Sequence, residues 1–103
     1  MYEKIYKHIL KYELLKLGLS VRTEVSFPLI YDSISFDIGF KIDLLVNEKV
    51  IVELKSVEQL SAVHHKQLIT YLRLTDLKLG ILINFNTESI KTNIFRKVNN
   101  LQL

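Results

Sequence analysis

Cysteine is absent from the 103-residue chain, which excludes a disulfide framework, a thiolate zinc site and an iron–sulfur cluster together. No apolar run approaches the roughly 18 residues of a membrane span. The N-terminus sets Glu3 and several lysines among its apolar residues, unlike a secretory signal, and the expectation is a cytoplasmic protein with no membrane contact. One proline and three glycines punctuate the chain, and it has no internal repeat, linker or low-complexity segment. This length suits one domain over residues 1–103, with a single core and no room for a second. What is present in quantity is hydrophobic: 49% of residues, with a net charge of +3 that permits an anionic partner without requiring one.

The most informative stretch is FKIDLLVNEKVIVELK, residues 40–55. Residues 40–46 and 50–55 are rich in Val, Ile and Leu, and Asn47-Glu48-Lys49 between them has the length of a hairpin loop. Regular alternation then predicts one wholly apolar face, made by Phe40, Ile42, Leu44 and Val46 with Val50, Val52 and Leu54. The other face carries Lys41, Asp43 and Leu45 with Ile51, Glu53 and Lys55. The tightest loop pairs Val46 with Val50 and sets Asp43 opposite Glu53, with Cβ atoms about 5 Å apart. Like charges in that position call for a cation, a shared proton or deep solvation, and a divalent metal answers the need. Lys55 shares the face of Glu53 and can offset part of the charge. By local pattern alone, a half-exposed hairpin with solvated charges fits as well.

In chain order, residues 2–17 read as a helix, with Ile5, Tyr6, Ile9, Leu10, Leu14 and Leu17 at helical spacing and Gly18 as the stop. Glu13 falls within or beside that stripe, either as an edge residue or as a third acid facing the hairpin. Residues 21–27 alternate as a strand that Pro28 ends or marks as an edge. Residues 29–31 and 34–36 flank the turn-like Asp32-Ser33 as a small hairpin, so three strands of an antiparallel meander precede the one that carries Glu53. A second helix runs from an N-cap at Ser61 to Thr75, with Val63, Leu68, Ile69 and Leu72 as its apolar bulk. His64, Gln67 and Tyr71 share a polar stripe. Gln67 and Tyr71 there can hold a phosphate or orient a water, or stand as surface amide and core-edge aromatic. His64 reads as an exposed helix-start residue or, alternatively, as a catalytic one. Residues 79–85 form a buried, central strand. Residues 94–98 add a short strand or helical turn, and residues 99–103 read as a frayed end.

This order, with Asp43, then Glu53-Leu54-Lys55, then Gln67-Leu68-Ile69-Thr70-Tyr71, resembles the PD-(D/E)xK nuclease superfamily. More narrowly, YELLKLGL, GFKIDLLV, KVIVELKSVEQL, VHHKQLITYL and KLGILINF resemble the GxxExxxR proteins, and the Gln-x-x-x-Tyr element resembles the RecB-type branch. The resemblance implies an α+β, restriction-endonuclease-like αβββαβ core whose mixed sheet is flanked by helices. It implies that Asp43 and Glu53 bind divalent metal, that Lys55 is the catalytic lysine, that Glu13 completes the acid cluster, and that Gln67 and Tyr71 assist. The family's N-terminal helix and the Gly of its naming motif would precede Met1, which leaves Glu3 at the place of that motif's Glu and Lys7 where the pattern has Arg.

The expected activity is metal-dependent hydrolysis of phosphodiester bonds, with DNA as the partner. Mg2+ or Mn2+ suits oxygen donors, here Asp43, Glu53 and the Leu54 backbone carbonyl. Lys41, Lys66 and Arg73 are candidate phosphate contacts. The alternative is a non-catalytic nuclease-fold module for binding or dimerisation, and a homodimer is compatible with either.

Overall fold

The computed structural model describes residues 2–86, 88 and 90–99. In chain order these form helix α1 (Tyr2–Lys16), strands β1 (Val21–Tyr31), β2 (Ile34–Val46) and β3 (Val50–Lys55), helix α2 (Ala62–Thr75), strand β4 (Leu79–Asn84), a 3-10 turn (Ile90–Asn93) and strand β5 (Ile94–Val98). The strands make one mixed sheet in the order β1-β2-β3-β4-β5. The β3–β4 pair is parallel and the other three are antiparallel, because the β3–β4 connection contains the helix that returns the chain to its starting end. The αβββαβ order is therefore present, with β5 added at an edge. No helix among the described residues is long and apolar enough to cross a membrane.

Local chemistry explains the helix ends. Gly18, at φ 84°, lets the Leu19 N–H turn back to the Leu14 carbonyl and close α1. At the start of α2 the Ser61 N–H donates to His64 Nδ1 at 3.0 Å, so His64 caps a helix. Asn99 is buried, and its side-chain amide donates to the Leu72 and Leu77 carbonyls. The frayed end read from the sequence therefore does not begin at Asn99, and residues 100–103 lie outside those described.

Of the two readings of Pro28 the edge one holds: it does not end the strand but sits within β1, opposite Gly39, and β1 is an edge strand with its register shifting just after Pro28. Two long strands therefore precede β3 where three shorter ones were expected, and residues 29–31 and 34–36 are the far ends of β1 and β2.

The single apolar hairpin face is also wrong. Ile42, Leu45 and Ile51 pack with Leu68 and Leu72 under α2, joined at the margin by Phe40 and Phe27. Leu44, Val46, Val52 and Leu54 pack on the opposite side, under Leu10 and Leu14 of α1. Ile42 and Leu44 have the same parity yet face opposite cores, so alternation breaks between them, at Asp43. β1 breaks at the same level: Val21 joins the α1 core and Val25 the α2 core, and Glu24 between them has φ 50°. The paired register on either side is kept. Both strands thus turn over together, and the sheet has a core on each face. Of the stripe read on α1, Tyr6 stacks on Phe85 at 4.3 Å and Leu10 and Leu14 pack inward, while Ile5, Ile9 and Leu17 are exposed. On α2, Val63 is exposed.

α2 packs closely on β4 at Gly80. A Cβ there would stand 2.8 Å from Leu68 Cδ1 and 3.0 Å from its Cγ, and Leu68 is fully buried. Gly80→Ala is expected to cost about 1–3 kcal/mol of stability through overpacking, measured by denaturant unfolding. Leu68→Val in the same chain should recover part of that loss.

Candidate active site

The β2–β3 ladder runs through Val46↔Val50, Leu45↔Ile51 and Leu44↔Val52 and stops there. The next pair would have been Asp43 with Glu53, and at this point side chains replace backbone bonds. The Asp43 N–H donates to Glu53 Oε1 at 3.2 Å, and the Leu54 N–H donates to Asp43 Oδ2 at 2.8 Å. The two carboxylates sit in the split where the strands diverge. The loop register was legible in the sequence, and the two acids do lie together, though in an opened ladder instead of a continuous one.

Glu53 is 4% exposed. Burial pushes its carboxyl up to about 8, the Asp43 charge and the hydrogen bond between the two carboxyls add to the rise, and the Asp43 N–H and Lys55 oppose it. Lys55 follows two residues later on the same face, at the end of β3. The Lys55 carbonyl accepts from the Phe85 N–H on the β4 side. Alternation therefore sends the Leu54 carbonyl to the other side, toward β2, where its own N–H meets Asp43.

α2 brings the next two residues. Tyr71 stacks on Phe40 at 4.8 Å between centroids, and Phe40 stacks on Phe27 at 5.7 Å. This aromatic row seats the middle of α2 beside the level of β2 that bears Asp43. Gln67 Nε2 donates to the Tyr71 hydroxyl at 3.1 Å. Burial raises the Tyr71 phenol above its ordinary value, the nearby charges of Glu53 and Asp43 raise it further, and the Gln67 bond counters them. Asp43, Glu53, Lys55, Gln67 and Tyr71 are thus brought to one end of the sheet.

Glu13 is not. It is more than half exposed, with Lys16 at 3.6 Å, and it lies about 15 Å along the helix from α1's first turn. The acid of α1 that reaches this end is Glu3, whose Oε1 accepts from the Ser56 N–H at 3.0 Å, just past Lys55. Glu3, Tyr6, Leu10 and Leu14 share the inward stripe, and Glu13, three residues after Leu10, lies at its solvent edge, a difference that helical spacing alone does not resolve. Lys7 pairs with Glu24 at 2.9 Å. A second residue missed by sequence reasoning is Asn84, at the end of β4 in register with Lys55. It is 1% exposed, donates to the Val57 carbonyl and accepts from the Val57 and Asn86 N–H groups. Asn84 and Glu3 together hold the chain where it leaves β3.

Among the described residues no three of His, Cys, Asp and Glu are gathered where they could hold a metal ion; the acids come as a pair. Between about pH 4.5 and 8 the folded, metal-free protein holds a proton on Glu53 that the unfolded chain has released. Stability therefore falls as pH rises through that window. In the presence of a chelator, wild type is expected to lose on the order of a few kcal/mol relative to Glu53→Gln between about pH 5 and pH 8.5, read from urea midpoints. Parallel pH profiles for the two proteins would show that Glu53 is not strained by its neighbours.

No curated protein sequence matches this chain. Among solved structures, the crystal structure of SSO0001 is similar, with a TM-score of 0.72 and 24% identity, over 98% of this chain and 52% of that one. The likeness is one of fold, and this chain spans about half that protein's length. The narrower likeness to the GxxExxxR proteins rests on the sequence segments alone. A family profile for the PD-(D/E)XK nuclease superfamily matches residues 1–97, which include α1, the split strands and α2, and by that match the chain belongs to the PD-(D/E)XK nuclease superfamily.

Proposed function

We propose that this domain is a metal-dependent nuclease that hydrolyses phosphodiester bonds in DNA. The observation that carries the reading is the pair of carboxylates held in the β2–β3 split, with Lys55 on the face of Glu53. Two crowded acids beside an amine have no structural need for one another, and a sheet gains nothing by breaking its ladder around them.

A divalent ion suits this donor set. The donors are all hard oxygens, namely Asp43, Glu53 and the Leu54 carbonyl, and Mg2+ or Mn2+ is commonly bound through one or two carboxylates with waters and substrate phosphate completing the shell. When bound, such an ion polarises the scissile phosphate and lowers the pKa of a coordinated water. The chain's own residues do the rest. Asp43 is oriented by the Leu54 N–H, and the hydrogen bond its carboxyl shares with Glu53 is one that a bound ion would replace. Lys55 Nζ stabilises the negative charge that develops on the phosphate, or orients the attacking water. The Tyr71 hydroxyl and the Gln67 amide, already bonded to each other, can position a phosphate oxygen or that water. Glu3 holds the strand exit and adds negative charge beside Lys55. Lys41, Lys66 and Arg73 are exposed and free to meet backbone phosphates.

With Mg2+ at a hundredfold excess over its dissociation constant, wild type is expected to gain about 2.7 kcal/mol, and Asp43→Ala and Glu53→Gln to lose that response. Lys55→Ala should keep the Mg2+ response while losing roughly 10²-fold or more in cleavage of a labelled DNA. Glu13→Gln should change neither. Wild type that binds neither Mg2+ nor DNA would leave the domain as a non-catalytic nuclease-fold module.

A further inference from the structure

Glu24 stands next to the site without belonging to it. On β1 it lies between Thr23, paired with Leu44, and Val25, paired with Ile42, which sets it at the level of Asp43 on the neighbouring strand. Its φ of 50° takes it out of the regular pleat where the two strands turn over. The Lys7 Nζ donates to Glu24 Oε1 at 2.9 Å. The pair is lopsided: the Lys7 side chain is 14% exposed and that of Glu24 62%, so the lysine is largely covered while the carboxylate that holds it lies open to solvent.

Two more amines surround the same carboxylate. Lys41 pairs with Ser26, two residues along β1 from Glu24, and its place between Phe40 and Ile42, both on the α2 side, sends it to the α1 side. Lys4 lies three residues before Lys7, on the adjoining turn of α1. Both are exposed. The hydrogen bond and charge of Lys7 hold the Glu24 carboxyl below its ordinary range, and the charges of Lys41 and Lys4 lower it further. Lys4, Lys7 and Lys41 thus share one carboxylate, which balances only one of them.

The positive surplus adjoins the acids of the split. Neighbouring strands lie about 4.8 Å apart, so the cluster is one strand away from the backbone of Asp43. One turn before Lys7, Glu3 reaches the Ser56 N–H just past Lys55, so the start of α1 links the end of β3 to the cluster. A nucleic-acid strand presents a phosphate at every nucleotide, and one held at Asp43 and Glu53 brings its neighbour within reach of lysines one strand away. An exposed ion pair is worth little, whereas a phosphate accepts charge-assisted hydrogen bonds at several oxygens, so it can take Lys7 from Glu24.

We propose, resting on the nuclease reading above, that Lys4, Lys7 and Lys41 bind the substrate phosphate next to the scissile one, and that Glu24 occupies its place in the free protein until DNA displaces it from Lys7. The subsite lays the substrate backbone along the α1 side of the sheet, and Glu24 sets how tightly it is held.

The test is binding of a fluorescein-labelled DNA duplex, followed by anisotropy in the presence of a chelator so that nothing is cut. Glu24→Gln keeps the shape of the side chain and is expected to tighten binding about two- to fivefold, the release of one exposed ion pair. Glu48→Gln removes the same charge from the Arg22 pair at the β2–β3 loop and should bind as wild type does. Lys7→Gln should weaken binding and lower the slope of log affinity against log salt by about 0.9, one phosphate contact, and Lys7→Arg should restore both. Lys41→Gln repeats the slope measurement with the Lys7–Glu24 pair intact. In the Lys7→Gln chain, Glu24→Gln should bring little gain, since no ammonium is left to release. Unchanged binding in Glu24→Gln, an equal gain in Glu48→Gln, or a wild-type salt slope in Lys7→Gln and Lys41→Gln overturns the proposal and leaves the nuclease reading in place. Wild type that binds no DNA overturns both.

Discussion

The feature on which the rest of this structure depends is an exchange of partners in the sheet. At one level of the β2–β3 ladder, backbone N–H groups donate to the side chains of Asp43 and Glu53 instead of to carbonyls across the gap. A buried backbone N–H must find an acceptor, and a carboxylate is a strong one, so the strands can part without leaving orphan donors. What remains is an opened sheet lined by two acids. Its cost is electrostatic, and it shows in Glu53, whose carboxyl stays protonated well above the usual range because it is buried beside another acid.

The same level is where the cores change sides. Above it, Phe40, Ile42, Val25 and Phe27 belong to α2; below it, Leu44, Val46 and Val21 belong to α1. The turnover needs both strands, and Glu24 at positive φ makes it on β1. A sheet that reverses its inner face at one level, with a helix on each side, exposes the split at the reversal. The Phe27–Phe40–Tyr71 row then ties α2 to this point, which delivers the Gln67–Tyr71 pair to the acids. Site and fold share these residues, and core substitutions at Phe40 act on both.

The anchoring of the β3 exit follows the same logic of satisfied polar groups. Past Lys55 the chain leaves the ladder, and Ser56 and Val57 need partners. Glu3 from α1 and Asn84 from β4 supply them. Three elements distant in sequence thereby meet just past Lys55, where the buried amide of Asn84 both donates to and accepts from Val57.

By itself the sequence determined both helices, the β2–β3 hairpin and β4 in their order, while it divided β1 and β2 into shorter strands. Val- and Ile-rich segments with period two, the Gly18 stop, the Ser61 cap and the apolar run of β4 are local signals, and local signals suffice to place helices and strands. It also determined the hairpin register, because a three-residue loop leaves little choice, and with it the meeting of Asp43 and Glu53. Tertiary structure decided what alternation cannot express. A period-two reading assumes a strand keeps its faces, so the reversal at Asp43 and Glu24 and the second core were hidden from it. Which acid of α1 reaches the site depended on which of two apolar stripes faces the sheet, and Ile5 and Ile9 blurred that choice until packing selected Tyr6, Leu10 and Leu14. With that stripe inward, Glu3 points to Ser56 and Glu13 points to solvent, because a helix docked on a sheet by one side has only one rotation about its axis.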